Sequence, residues 1–399
     1  MVAEMQGSKR SNLGEVAIVF LRLGITAFGG PAAHVAILED EVVRRRRWIT
    51  QERFLDLLGA VNLIPGPNST EMAIYLGYLR AGWLGLVLGG VCFILPAMLI
   101  VMGIAWAYVR YGGLPQFAAL LYGVKPVVIA IILQALWRLG PKAVKTKVLA
   151  AVGLLAVAAA GWFAADALTV ILVGGMAAGL ARGWTAGQRK PFKPIVVILV
   201  IAGGILALSR IGAGLGSTSE VPFGLRPLFL CFLKIGSILY GSGYVLLAFL
   251  QDDLVTRWHW LTSAQLLDAT AVGQVTPGPL FTTATFIGYV KGGVPGAILA
   301  TVGIFLPSFL FIAVAGPLVP RLRRSVIAGA FLDGVNVASL ALIAVVGWQL
   351  GCAAIVDVTT VLLAILSAIL LMRFRINSAW LVLGGAAVGM IAHAAHIGG

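Results

Sequence analysis

Charged residues are scarce in this chain of 399 residues. Asp, Glu, Lys and Arg together make up 11% of it, whereas 60% is hydrophobic, and the mean hydropathy is +1.00. An average soluble domain is about a quarter charged. The composition therefore excludes an ordinary soluble protein and predicts an all-α polytopic membrane protein.

Cysteine and histidine are also rare, with three and four residues respectively, and they are scattered. Their spacing matches neither a metal site nor a disulfide framework. The chain lacks the GxxxxGK[ST] pattern of a nucleotide-binding loop, and we find no paired carboxylates or activated nucleophile. We therefore expect no metal, no cofactor and no enzymatic activity, and any transport should be secondary.

Acidic residues are outnumbered, and the net charge is +14. In a soluble protein such an excess favours nucleic-acid binding, but the cytoplasmic loops of membrane proteins are also rich in Lys and Arg. We expect the lipid bilayer, and not nucleic acid, to be the partner. The polar N-terminus has no apolar core before a cleavage site, so we expect no signal peptide.

The chain repeats itself. Residues 20–67 align with 232–279 at an offset of 212, with 16 of 48 positions identical, and the offset then becomes 211. This self-similarity predicts two homologous halves joined by a linker. The predicted units are an N-terminal repeat (1–182), a linker with one span near 194–209 (183–224), and a C-terminal repeat (225–399).

Each half contains four apolar segments long enough to span a membrane, for which about 20 residues are needed. With the linker span this predicts nine full spans. The segments lie near 83–109, 115–137, 146–164 and 166–182 in the first half, and near 294–318, 326–350, 354–372 and 377–395 in the second.

Loop charges alternate in opposite order in the two halves. The first loop carries four arginines, Arg44 to Arg47, whereas its counterpart carries Asp252, Asp253 and a single arginine. The loop near 138–147 is rich in Lys and Arg, whereas its counterpart near 349–357 has neither. Under the positive-inside rule the two halves lie in opposite orientations, which predicts an inverted-topology repeat.

Each half also has two interrupted regions ahead of its spans. One breaks at Gly29-Gly30-Pro31, or at Gly241-Ser242 in the second half, and the other breaks at a Pro-Gly-Pro triplet, residues 65–67 and 277–279. The limbs are about 10–15 residues long, too short to cross alone. We predict four re-entrant or kinked helical hairpins with their tips inside the membrane. The first region of each half could instead be a full span, and a Pro-Gly-Pro triplet could merely kink a helix for packing.

Broken helices place helix N-termini inside the membrane, and these bind anions through free N–H groups. The first Pro-Gly-Pro is followed by hydroxyl and amide side chains that could contact a ligand oxygen. The predicted breaks are at Pro31, Pro65, Pro67, Pro277 and Pro279. The predicted anion-binding residues at these breaks are Gly29, Gly30, Gly66, Asn68, Ser69, Thr70, Gly241, Ser242, Gly278 and Thr282.

Three ionisable residues in apolar sequence complete the candidate site, since such residues are costly in a membrane. Arg22 and Lys234 occupy matching positions in the two halves. We predict that they face a shared cavity that suits a dianion, the alternatives being snorkelling or an internal salt bridge. Glu71 follows only the first Pro-Gly-Pro and is either a proton carrier or a fixed partner of Arg22.

The motifs resemble those of the chromate ion transporter family in its long, two-repeat form. "AFGGPAAHVAILEDEVV", "NLIPGPNSTEMAIYLGY" and "WLTSAQLLDATAVGQVTPGP" carry the resemblance, which covers essentially the whole chain. It implies an inner-membrane protein that exports chromate and confers resistance, driven by the proton-motive force as an antiporter. The second half has no counterpart of NSTE, so the halves should not be equivalent at the site.

Other functions stay open at this point. Sulfate has the same charge and nearly the same shape as chromate, so an importer or exchanger of sulfate or another oxyanion is an alternative, as is an anion channel. The sequence leaves the transport direction, the proton stoichiometry and the oligomeric state open, with a homodimer as one alternative.

Overall fold

The computed structural model describes residues 2–28, 31–62, 64–163, 165–185, 221–240, 243–315, 326–374 and 376–397. Every regular element in these ranges is a helix. The first half contributes α1 (Val2–Thr26), α2 (Pro31–Glu39), α3 (Gln51–Val61), α4 (Asn68–Tyr111), α5 (Pro115–Ala143), α6 (Lys147–Trp162) and α7 (Ala167–Thr185). The second half contributes α8 (Leu225–Ile238), α9 (Val245–Leu250), α10 (Ser263–Val275), α11 (Thr283–Ala315), α12 (Val326–Ala354), α13 (Val358–Arg373) and α14 (Ser378–Ile397).

Five helical segments are long and apolar enough to cross a membrane, which confirms the prediction of an all-α multi-pass membrane protein. They are Asn68–Tyr111, Pro115–Ala143, Leu280–Val314, Gly329–Ala354 and Ser378–Ala395. The apolar helices Lys147–Trp162, Ala167–Arg182 and Val358–Arg373 are shorter. The predicted span near 194–209 lies outside the described residues, so the count of nine spans stays a prediction.

The helices break where the sequence predicts breaks. α1 ends before the Gly-Gly-Pro, α3 ends before the first Pro-Gly-Pro, and α10 ends before the second, after which a short 3₁₀ turn (Leu280–Thr282) leads into α11. Both α2 and α9 continue into a π-helical turn, Asp40–Arg45 and Gln251–Arg257. These turns occupy matching positions in the two halves.

Two further breaks were not predicted. α4 is interrupted by the non-helical backbone of Ala81 and Gly82, and α11 is interrupted at Gly292 and Gly293. Gly82 and Gly293 have φ of 66° and 61°, a conformation that glycine adopts without strain. Each of these helices is therefore a short limb followed by a long limb, and the long limbs begin where the predicted spans near 83–109 and 294–318 begin.

The two limbs of α4 fold back on each other. A Cβ on Gly77 would overlap the backbone of Gly85, and a Cβ on Gly89 would lie 2.6 Å from the carbonyl oxygen of Ala73. Gly77 contacts Gly85 and Ala73 contacts Gly89, so the contacts on both limbs move away from the turn at residues 81–82 together. The short limb 68–80 therefore runs antiparallel to the start of the long limb 83–111. The start of the short limb consequently lies deep along the long limb.

The halves are interlocked rather than side by side. α7 packs against α12 of the other half, and α14 packs against α5. Glycines make both crossings close: Gly174 meets Gly334, and Gly123 meets Gly385, backbone against backbone. Small residues of this kind let membrane helices approach closely. The domain boundaries and the inverted orientation of the halves stay predictions.

Candidate functional site

The two Pro-Gly-Pro turns each bind the chain break of the opposite half. The N–H of Gly66 donates to the carbonyl of Leu239 at 2.8 Å, and the N–H of Gly278 donates to the carbonyl of Ala27 at 2.9 Å. Leu239 and Ala27 are the residues at which α8 and α1 lose their helical hydrogen bonding. The four chain breaks therefore meet in two matching pairs, each formed by both halves.

The same glycines lie against the long limbs of α4 and α11. A Cβ on Gly278 would lie 2.6 Å from the Cβ of Ala97, which is the middle residue of the limb 83–111. A Cβ on Gly66 would lie 2.6 Å from Oγ of Ser308, at the matching position of α11. Since both glycines have positive φ (140° and 89°), any other residue would be strained as well as crowded. The tips lie at mid-length of apolar helices, which is the placement that the re-entrant prediction requires.

The first of these tips carries polar groups without partners. Glu71 and Thr70 are 0% exposed, as is Ser308. Neither carboxylate oxygen of Glu71, nor Oγ1 of Thr70, nor Oγ of Ser308 has a hydrogen-bond partner. A Cβ on Gly66 would overlap Oε1 of Glu71 as well as Ser308. Buried polar groups are almost always hydrogen-bonded, so three such groups around one turn point to a binding site.

The second tip is internally satisfied. Oγ1 of Thr282 donates to the carbonyl of Pro279 at 2.9 Å, and Oγ1 of Thr283 donates to the carbonyl of Leu280 at 2.8 Å. The residue that matches Ser308 here is Ala97. Among the described residues, the unpartnered groups that follow a Pro-Gly-Pro turn are those of the first tip, whereas near the second turn the amide nitrogen of Gln274, which precedes it, has no partner.

The remaining predicted residues near the first tip differ in their surroundings. Asn68 begins α4, and its Nδ2 donates to Oδ1 of Asn62 at 2.6 Å. Ser69 is buried at 3% exposure. Pro67 precedes α4 and provides no side-chain cap. The predicted residues Gly29, Gly30, Gly241 and Ser242 lie outside the described residues.

The two predicted cations differ in their surroundings. Arg22 is exposed on α1 and forms no ion pair with a described residue. Lys234 on α8 is half-buried, and its Nζ lies 2.9 Å from both carboxylate oxygens of Asp253, whose side chain is 2% exposed. The internal salt bridge weighed as an alternative is thus present at Lys234, with a partner from the π-helical turn. Glu71 and Arg22 do not pair. The other acid near Arg22 on α1, Glu15, accepts hydrogen bonds from Arg46, Trp48 and Arg80.

A second buried polar cluster joins the two halves. Asp268 on α10 accepts a hydrogen bond from the hydroxyl of Tyr108 on α4 at 3.0 Å, and its Oδ1 lies 3.4 Å from Nζ of Lys125 on α5. The matching acid of the first half, Asp56, is exposed. Lys125 and Asp268 lie far apart along the chain, so the sequence does not show that they meet.

Ser308 and Tyr240 are the site residues that sequence reasoning missed. Ser308 follows a proline in an apolar run and replaces the alanine of the first half, which is a weak signal. Tyr240 directly follows Leu239, whose carbonyl accepts the N–H of Gly66 at the first tip. Among the described residues no group of three or more His, Cys, Asp or Glu side chains could hold a metal ion.

Comparison with known proteins agrees with this two-half arrangement. The sequence profile of the chromate transporter family matches residues 14–180 and again residues 226–390. This chain belongs to the chromate transporter family. A chromate transport protein of Cupriavidus metallidurans is 35% identical over 383 residues, which cover 96% of this chain and 93% of that protein.

Two further relatives also match most of this chain. A probable chromate transport protein of Synechococcus elongatus is 31% identical, covering 90% of this chain and 89% of that protein. A chromate transport protein of Pseudomonas aeruginosa is 32% identical, covering 81% and 77%. No solved structure matches the chain.

Proposed function

We propose that this protein is a secondary transporter that exports chromate across the inner membrane, coupled to the proton-motive force, by alternating access around the first Pro-Gly-Pro tip. The observation that carries the proposal is the set of unpartnered groups at that tip, Glu71, Thr70 and Ser308, in a chain whose relatives are named chromate transport proteins. Hydroxyls and free helix N–H groups can replace part of the water shell of an oxyanion.

The membrane potential favours export of the anion. The inside of a bacterial cell is negative, and moving one charge across 100 mV releases or requires about 2.3 kcal/mol. A dianion that leaves the cell alone therefore gains about 4.6 kcal/mol per 100 mV. An importer of the same anion would have to supply that free energy from protons or another ion, so the alternative of sulfate uptake needs a larger coupling ratio.

The position of the tip suits alternating access. The first tip is bound by backbone to Leu239 and packs on Ser308, both of the second half, so movement of one half against the other would remake the walls of the site. This is the arrangement by which repeat-containing transporters expose one site to the two sides of a membrane in turn.

Everted membrane vesicles test the proposal. Energised vesicles that contain the protein should accumulate labelled chromate faster than vesicles from cells with an empty vector, and Glu71→Gln should remove the response of that accumulation to the pH gradient. The exposed acid Glu52 on α3 provides a matched control, because Glu52→Gln removes a carboxylate away from the tip. Accumulation of sulfate without chromate would favour the oxyanion importer or exchanger, and equal rates in the presence and absence of the protein would refute transport.

A further inference from the structure

The geometry at the Gly66 tip bears on the sign of the coupling between an anion and a proton bound there. A Cβ on Gly66 would overlap both Oε1 of Glu71 and Oγ of Ser308, which come one from each half of the protein. Both carboxylate oxygens of Glu71 lack a hydrogen-bond donor, and the residue is 0% exposed. A carboxyl group in such a place is stable only when it is protonated or when a cation lies close to it.

The described structure provides no cation for Glu71. Tyr240, from the connection between α8 and α9, follows the Leu239 that binds Gly66, and a tyrosine carries no positive charge in either state. His34 on α2 is buried with its ring edge on Phe93. The charged groups on the other helices that pack near α4 are exposed, partly exposed or held by other partners: Glu15, Arg22, Arg53, Asp56, Asp268 and Lys291.

An oxyanion at this tip would repel an ionised Glu71. The first helical residues of α4 stand directly before Glu71, so an anion held by the N–H groups there and by Thr70 lies within a few ångströms of the carboxyl group. The dianion therefore favours the protonated acid, and by linkage the protonated acid favours the dianion. The neutral carboxyl group can also donate its O–H to an anion oxygen.

We propose that one proton on Glu71 and one oxyanion bind together at the Gly66 tip and cross the membrane together. The inference rests on the proposed function and concerns how that site is coupled. The family resemblance implies antiport, in which the anion and the proton cross in opposite directions. The coupling proposed here is the opposite one, because antiport requires that binding of one ligand excludes the other. The complex that crosses carries a net charge of −1, so the inside-negative potential still favours export.

Liposomes containing the purified full-length chain test the sign of coupling directly. Valinomycin and equal potassium on both sides hold the potential at zero, and a gradient of one pH unit is set on the alkaline side of neutrality, where chromate is a dianion. If proton and anion cross together, chromate accumulates on the more alkaline side, approaching about tenfold per pH unit. Glu71→Gln should move chromate only down its own gradient, whereas Glu52→Gln should accumulate it as the unmodified protein does.

Each other outcome overturns the inference. Accumulation on the more acidic side means exchange, and movement of chromate without any response to the pH gradient means that Glu71 carries no proton through the cycle. Both results leave the proposed transport of chromate intact. Absence of chromate movement relative to empty liposomes under every gradient and potential would refute the proposed function and this inference with it.

Discussion

The crossing of α5 and α14 offers a test of the interlocked fold by a single methyl group. A Cβ on Gly385 would lie 2.5 Å from the carbonyl oxygen of Gly123 and 2.7 Å from Cγ2 of Val127. Its neighbour Gly384 also lies within α14, but a Cβ there would meet nothing within 4 Å. Gly385→Ala and Gly384→Ala therefore make the same chemical change on two faces of one helix.

The two substitutions should act in opposite directions. Overpacking typically costs about 1–3 kcal/mol, and the backbone at Gly123 cannot yield as a flexible side chain would. An alanine at an open helical position gains about 0.5–1 kcal/mol over glycine. We expect the free energies of unfolding of the two variants to differ by about 1.5–4 kcal/mol.

Thermal unfolding in detergent, followed by the loss of monodisperse protein on size exclusion, measures the difference. Gly385→Ala should lower Tm by several degrees, whereas Gly384→Ala should leave it unchanged or raise it. If the two variants unfold at the same temperature, α14 does not pack on α5 through Gly123, and the interlocked arrangement of the halves is wrong.

Three further predictions concern single contacts. Ser308→Ala removes a buried hydroxyl without a partner, so Tm should stay the same or rise while chromate transport falls; a fall in both would indicate a structural role. Lys234→Ala leaves the buried carboxylate of Asp253 with only the more distant Arg257, 3.9 Å away, and should lower Tm. Adding Asp253→Ala should restore part of the loss, which a double-mutant cycle measures. The hydrogen bonds from the Tyr122 hydroxyl and from the backbone N–H of Thr360 hold the pKa of Asp357 below its ordinary value of 3.8. These bonds therefore stabilise the fold above pH 3.8, and this stabilisation is lost as the pH falls below that value. Tyr122→Phe should accordingly lower Tm at neutral pH but lower it less at pH values below 3.8.

The chain breaks at the Pro-Gly-Pro triplets were predictable because proline leaves few local alternatives. The breaks at Gly82 and Gly293 were not, since a lone glycine in an apolar run is compatible with a continuous helix. Their role is visible only in the folded protein, where the short limb turns back on the long one and brings Glu71 to mid-length of its neighbours.

The sequence does not show which predicted site residues have partners, because those contacts form only in the folded protein. Arg22 and Lys234 match in the repeat, yet Lys234 is bound by Asp253, which lies 19 residues away along the chain. Ser308 became a candidate only because it lies against Gly66 of the other half. Their roles in substrate binding stay predictions, and Arg22→Ala with unchanged chromate transport would exclude the exposed cation.

Location of bound chromate tests the central claim most directly, because chromium can be identified by its anomalous scattering in crystals grown with chromate. The account predicts a chromium peak beside the start of α4, within hydrogen-bonding reach of Thr70 and Ser308 and close to Glu71. A peak on the outer surface near Arg22, or at the second tip beside Gly278 alone, would contradict it.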